Sequence, residues 1–243
     1  DQNKDLYFDQ MQIDPENFRM DGAGEDMFFL SNGHISPMFY SILAHRGYFP
    51  VAELATFRRL GTRLQGHPTT AEGLPGVRVA SGSLGQGLSV AVGVAQAKKL
   101  ANDNHLVYVL MGDGEQEEGQ IWEAAMYAPA KNVDNIVAIV DYNKKQIDGP
   151  TDDVLSLGDL RAKYESFGWK VWECNGNDMQ ELVDTFNKIR ENAHKGQSQI
   201  LLAHTEMGMG VDFMMGTHKW HGVAPKDEQA ANALSQLKET LGD

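Results

Sequence analysis

Asp113 and Asn143 carry the strongest chemical signal in this sequence. Asp113 is the centre of Gly112-Asp113-Gly114, which directly follows the apolar run Leu106–Met111, and Asn143 comes just after Asp141, where the next such run ends. A carboxylate and an amide carbonyl are hard oxygen donors, suited to a Mg²⁺ or Ca²⁺ ion that also coordinates phosphate oxygens. The flanking glycines let the backbone approach such a ligand without a Cβ in the way. Taken alone, Gly-Asp-Gly is equally a tight turn, because turns favour all three residue types. The asparagine at the end of the following run is what points to an ion site.

A second group is made of imidazoles. His34, His67 and His221 lie in loops beside Gly or Pro, in Gly33-His34, Gly66-His67-Pro68 and His221-Gly222. Loops at strand ends carry sites, and imidazole exchanges protons near neutral pH. His204 and His218 are read as structural or surface residues. Glu118 and Glu123 stand at the start of an expected helix, where acids are favoured by the macrodipole whether or not they have a function. Asp148 reads as the turn residue before Gly149.

The elements that must position these residues follow from periodicity. Leu106–Met111, Ile136–Asp141, Trp169–Cys174 and Gln199–Thr205 are short runs of β-branched and apolar residues, expected as buried strands. Helical spacing marks Glu181–Asn192, with Leu182, Val183, Phe186 and Ile189 on one face. It also marks Leu88–Leu100, with Val90, Val94 and Ala97, and a crossover helix over Gly119–Ala130. Strands alternating with helices predict an α/β fold: a parallel β-sheet covered by helices on both faces. A strand, a crossover helix and a second parallel strand take about 30 residues, and the right-handed crossover sets the two strand ends side by side. If the strands are adjacent they lie ~4.8 Å apart, so Asp113 and Asn143 reach one ion beyond the carboxyl edge, where open parallel sheets bind ligands.

Gly82–Gly87 opens the helix Leu88–Leu100, and a helix N-terminus attracts anions. Its order, Gly-x-x-Gly-x-Gly, is not the dinucleotide fingerprint. Gly61–Gly87, Gly112–Gly119 and Gly208–Gly222 are the glycine-rich loops, and Asp14–Asp26 is a polar, ordered loop leading into Phe28-Phe29-Leu30. The tail Pro225–Asp243 is expected as a final amphipathic helix, with Ala231, Leu234, Leu237 and Leu241 on one face. No repeat, low-complexity tract or linker divides the chain, so residues 1–243 are expected to form a single domain.

Composition narrows the function classes. The 243 residues include 34 acidic and 21 basic side chains, for a net charge of −13. Such a chain repels a phosphate backbone and has no dense Lys/Arg stripe, which argues against nucleic acid as a partner. An anionic small ligand would need a metal ion or backbone amides to offset the charge. No apolar run approaches the ~18 residues of a membrane span, and no leader is evident at Asp1-Gln2-Asn3-Lys4-Asp5. Cys174 is alone, which excludes an intrachain disulfide and makes the cytoplasm the default location.

Gly112-Asp113-Gly114, Glu117-Glu118-Gly119 and the stretch from Asp141-Tyr142-Asn143 to Ile147-Asp148-Gly149 resemble the thiamine diphosphate motif of transketolases. Upstream, Leu30-Ser31-Asn32-Gly33-His34, Gln65-Gly66-His67-Pro68 and Gly82-Ser83-Leu84-Gly85-Gln86-Gly87 agree, as does Trp220-His221-Gly222 downstream. The match runs in order from about Leu6 to the end of the chain. Deoxyxylulose-phosphate synthases share the Gly-Asp-Gly but usually not the two flanking patterns, which leaves such an enzyme as an alternative.

The resemblance implies a thiamine diphosphate-binding fold and assigns roles. Asp113, Asn143 and the backbone carbonyl of Lys145 would hold Mg²⁺ (or Ca²⁺). Gly114 and Glu115 would lie at the diphosphate, and the backbones of Gly82, Ser83 and Leu84 would line the cofactor. His34 and His221 would sit near the diphosphate and the reacting carbons, and His67 near the donor hydroxyls. Glu118, with Glu123, would belong to a carboxylate network crossing a subunit interface.

Two parts of the family's pattern are missing. The Ser-Gly-His-Pro-Gly-Gly-like segment with another active-site histidine is absent, and Asp5-Leu6-Tyr7-Phe8 resembles the end of the helix after it. The pyrimidine-binding domain, with its glutamate and phosphate-gripping arginines, has no room in the 22 residues after His221. The resemblance therefore implies the N-terminal subunit of a split transketolase, active with a separate C-terminal subunit in an α2β2 heterotetramer. It would move a two-carbon unit between sugar phosphates of the pentose phosphate pathway, such as xylulose 5-phosphate and ribose 5-phosphate. A non-catalytic scaffold that keeps the diphosphate site, or a generic nucleotide-binding α/β protein, are the competing readings.

Overall fold

In the computed structural model, residues 6–237 are described. In chain order the elements are β1 (Met27–Leu30), α1 (Ser36–Arg46), α2 (Gln86–Leu100), β2 (Val107–Gly112), α3 (Gly119–Ala130) and β3 (Ile136–Tyr142). A two-stranded hairpin, β4 (Lys145–Gln146) and β5 (Gly149–Pro150), follows, then α4 (Thr151–Leu155) and α5 (Leu160–Phe167). The chain ends with β6 (Lys170–Asn175), α6 (Met179–Glu191), β7 (Gln199–His204) and α7 (Asp227–Gln236). Five strands form one sheet in the order β1-β2-β3-β7-β6, and every pair in it is parallel.

Strand residues alternate between two cores. Leu30, Leu110, Ile139 and Leu201 pack with α1 and α6, whereas Phe29, Val109, Ala138 and Leu202 pack with α2, α3 and α5. Burial on both faces is why the strands read as unbroken apolar runs instead of alternating ones. The chain advances from β1 through β2 to β3, jumps to the far edge at β6, and steps back to β7. Reversing the direction of the right-handed crossover puts α6 on the opposite face from α3.

Two helical faces differ from the expected ones. In α2 the buried stripe is Leu88, Ala91, Val92 and Ala95, while Val90 and Val94 lie on its flank and Ala97 is exposed. The rotation is set at the first turn, where Gly87 lies directly against Ser31 and leaves no room for a Cβ. The expected face of α7 is not buried: Leu234 is 68% and Leu237 44% exposed, and Ala233 is the buried residue. Polar bonds between Asp212 and Gln236, at 2.7 and 2.8 Å, fix that helix instead. Leu241 and Asp5 lie outside the described residues. No helix among those described is long and apolar enough to cross a membrane.

Candidate active site

β2 and β3 run side by side with Gly112 opposite Asp141, so Asp113 and Asn143 emerge together at the carboxyl edge. Asp113 is 2% exposed. Its Oδ1 accepts the Gly114 N–H at 2.7 Å, and its Oδ2 accepts the Lys144 N–H in a short bond. The Asn143 side chain is held from both ends: Oδ1 accepts the Lys145 N–H at 2.9 Å, and Nδ2 lies 3.4 Å from Asp141 Oδ2. Asp141 Oδ1 in turn accepts the Thr205 hydroxyl, which ties β3 to the end of β7. Gln146, in the hairpin that carries Lys145, packs on Gly114, where a Cβ would lie 2.9 Å from Gln146 Cβ.

Burial pushes the Asp113 carboxyl up to about 7, against the lowering effect of its two backbone donors, and burial also raises Asp141. Neither carboxylate has an ion pair among the described residues. Ionising Asp113, which is buried, and Asp141, which is part-buried, is costly with no cationic neighbour among the described residues, and a divalent ion would offset that cost.

The turn before α2 is arranged differently from the expectation of an open helix N-terminus. Gly85, at φ +85°, caps the helix in the left-handed region, where glycine is unstrained. Its N–H is already donated to Glu115 Oε1 at 2.7 Å, and the Gly87 N–H to Ser31 Oγ at 3.1 Å. Glu115 is 2% exposed, and its other oxygen accepts the Gly112 N–H at 3.0 Å. The anion at this helix start is therefore the chain's own side chain. An external diphosphate is left the earlier part of the turn, Gly82 to Leu84, which is at least partly exposed.

Beyond β3, β7 and β6 opens a cavity of about 420 Å³, lined among others by His34, Asp141, Asn143, Thr205, Trp220 and His221. The His34 and His221 rings stack at 4.9 Å between centroids. Burial, with the neighbouring His221 and His67, lowers His34 to about 4, and burial lowers His221 against the pull of Asp141. Both rings are neutral at pH 7. His67 lies to one side, against Gly82, where a Cβ would be 3.5 Å from its ring. Glu118 and Glu123 are exposed at the start of α3, and neither lines this cavity.

Residues 1–242 match the family described as transketolase, thiamine diphosphate binding domain. The chain belongs to that family. It is 40% identical over 236 residues to one component of the apulose-4-phosphate transketolase of Phocaeicola vulgatus, covering 97% of this chain and 82% of the relative. It is 38% identical over 234 residues to the 6-deoxy-6-sulfo-D-fructose transketolase subunit SqwG of a Clostridium species, covering 96% and 83%. Among solved structures, transketolase from Leishmania mexicana superposes with a TM-score of 0.83 at 27% identity, over 97% of this chain and 39% of that one. A Pichia stipitis transketolase in complex with sedoheptulose 7-phosphate gives 0.85 at 30%, over 96% and 36%. The parallel sheet with helices on both faces is thus the transketolase thiamine diphosphate-binding fold, and this chain spans little more than a third of those solved transketolases.

The residues present fit the family's cofactor and metal. The two uncompensated carboxylates supply the charge a divalent ion needs. Asn32 Oδ1 and Ser81 Oγ are buried without a hydrogen-bond partner among the described residues. Asn32 adjoins Gly112, and Ser81 adjoins Gly33, so both orphaned atoms border the glycine-shaped floor of the site. Sequence reasoning missed Ser81, Thr205 and the structural part played by Asp141. Asp141 sits inside a quoted motif, and its position at the end of an apolar run was the available signal. Thr205 and Ser81 gave none.

Proposed function

We propose that this chain is the diphosphate-binding subunit of a two-component transketolase, one domain over residues 1–243. With a second polypeptide carrying the pyrimidine-binding half, in an α2β2 assembly, it would transfer a two-carbon ketol unit from a ketose phosphate to an aldose phosphate in the cytoplasm. The observation that carries this reading is the Asp113–Asn143 pair on in-register strand tips beside a cavity roofed by neutral histidines. When bound, thiamine diphosphate supplies the electron sink for breaking the ketose C2–C3 bond, and Mg²⁺ or Ca²⁺ neutralises its diphosphate.

The chain's residues would divide the remaining work. Asp113, Asn143 and the Lys145 carbonyl hold the ion, while Gly114 and the backbone of Gly82, Ser83 and Leu84 line the cofactor. His34 and His221 enter as neutral imidazoles, able to accept a proton as the C2–C3 bond breaks. His67, at the edge of the cradle, holds the donor hydroxyl and moves its proton. Glu118 and Glu123, both exposed, would meet another subunit.

Substrates would be sugar phosphates, with xylulose 5-phosphate and ribose 5-phosphate as the first pair. The relatives named for apulose-4-phosphate and 6-deoxy-6-sulfo-D-fructose put those sugars on the same panel. The test mixes this chain with a C-terminal transketolase subunit, thiamine diphosphate and Mg²⁺ and follows product aldose and ketose. Transfer only in the complete mixture is expected. Cofactor uptake without transfer of any sugar on the panel would favour a non-catalytic scaffold.

A further inference from the structure

Glu115 is the one acid whose carboxylate joins three separate turns of the site. It stands in the helical turn just after Asp113. Oε1 accepts the Ser31 hydroxyl, in a short bond, and the Gly85 N–H at 2.7 Å, while Oε2 accepts the Gly112 N–H at 3.0 Å. Ser31 follows β1, Gly85 precedes α2, and Gly112 ends β2, so one side chain pins three segments far apart in sequence. No cation balances it among the described residues; its charge is met by two amides, a hydroxyl and the positive end of α2.

We infer that Glu115 is a positioning residue, an internal anion that occupies the start of α2 and locks the β1, β2 and α2 turns at fixed separation. This rests on the diphosphate-site reading above and sharpens it. With the Gly85 and Gly87 amides consumed inside the protein, these two donors of the helix start are closed to a ligand, and an incoming diphosphate is directed to the side of Asp113 and Asn143. The clamp also fixes Gly112, and with it the direction in which the next residue, Asp113, leaves the strand. Both Glu115 oxygens are taken by the chain's own donors, so its effect on the site runs through the turns it holds.

The geometry makes an asymmetric test available, because one oxygen takes two donors and the other takes one. In Glu115→Gln the amide oxygen stays with Ser31 and Gly85, and the new NH₂ group faces the Gly112 N–H, donor against donor. Amide hydrogen exchange on the full chain without ligand should therefore rise about tenfold at Gly112 in Glu115→Gln, with Gly85 and Gly87 still protected. In Glu115→Ala it should rise at Gly85 and Gly112 together. A second readout is calorimetric titration with thiamine diphosphate and Mg²⁺, where Glu115→Gln should bind about tenfold more weakly.

Unchanged exchange at Gly112 in Glu115→Gln, or an even rise over the whole sheet, would overturn the clamp. If Glu115→Ala does not fold, the Gln variant alone decides. Wild-type chain showing the asymmetry but taking up no thiamine diphosphate would sink the cofactor reading and uphold the clamp. Intact cofactor uptake with no asymmetry would do the reverse.

Discussion

The two halves of the site are built on opposite plans. At the tips of β2 and β3, the side chains of Asp113, Asn143 and Glu115 are held by bonds from the backbone, and side chains press on glycines. The cavity beyond β7 and β6 is half-open. Its imidazoles touch each other and make no ring hydrogen bond among the described residues, and the segment after β7 leaves Met209 55% and Met215 38% exposed. A rigid, backbone-saturated cradle suits a group that must be the same in every turnover. An open, side-chain-lined cavity suits substrates that differ and a wall contributed by another polypeptide. Loss of a cradle residue should therefore abolish cofactor retention, whereas loss of a cavity residue should slow the reaction with the cofactor in place.

The largest effect is expected at Asp113. Asp113→Ala removes the charged ion ligand and should abolish Mg²⁺-dependent retention of thiamine diphosphate, weakening it ~100-fold or more, as read by calorimetry or gel filtration. Asp113→Asn should separate function from stability. It removes the charge but sets the new NH₂ group against the Gly114 or Lys144 N–H, donor against donor, so the two effects offset: unfolding free energy without ligand should change by less than ~1 kcal/mol while cofactor retention is lost. Retention unchanged in Asp113→Ala would put the ion elsewhere and dissolve the contrast between the halves.

His67→Ala tests the border between the halves, because His67 packs on Gly82 of the cradle and does not line the cavity. Removing an acid–base group costs ~10²–10⁴-fold in rate, so donor turnover in the reconstituted enzyme should fall by at least the lower figure. Thiamine diphosphate affinity should stay within about twofold of wild type, because His67 packs against Gly82 through its ring and is otherwise exposed. Lost cofactor binding in this variant would place His67 in the cradle.

The contrast also explains what could be seen in the sequence. The strands from Leu106 to Thr205 were legible, because burial on both faces turns them into apolar runs. The adjacency of the β2 and β3 tips that carry Asp113 and Asn143 was legible because a crossover of that length leaves few alternatives. β1 was not recognised as a strand: four residues, Met27–Leu30, are too few to show a period. The capture of the Gly85 and Gly87 amides was not legible either, since it depends on Ser31 and Glu115 arriving from elsewhere in the chain. Local pattern reveals an element and its glycines, but not which side chain has already taken the amides.

A smaller effect is expected where Gly87 meets Ser31. A methyl group there has no space, so Gly87→Ala must push α2 off the β1 tip or turn Ser31 out of its bond to Glu115. Overpacking of this kind costs ~1–3 kcal/mol, to be read from urea midpoints. Gly93→Ala, where nothing lies within 4 Å of the added carbon, is the control and should be neutral or slightly stabilising. Equal destabilisation by both would mean that the first turn of α2 is no tighter than its outer face.

The smallest effect is a pH dependence belonging to the open half. His34 is held near 4 in the fold, facing His221, His67 and, across His221, the Asp141 carboxylate. In the unfolded chain its pKa is ~6.5. Between those values the unfolded chain binds a proton that the folded chain refuses, so His34 favours the fold above ~6.5 and loses that contribution as the pH falls toward 4. His34→Gln removes the group, so the stability difference between wild type and variant should shrink or change sign between pH 7.5 and 4.5. Because His34 is exposed at the rim of the cavity, solvent screening should hold the change below ~1 kcal/mol. The variant subtraction cancels the titration of groups common to both proteins. A wild-type minus variant difference that is flat over this window would mean that the paired rings are as well solvated as surface histidines, and that the cavity accepts a proton as readily as water does.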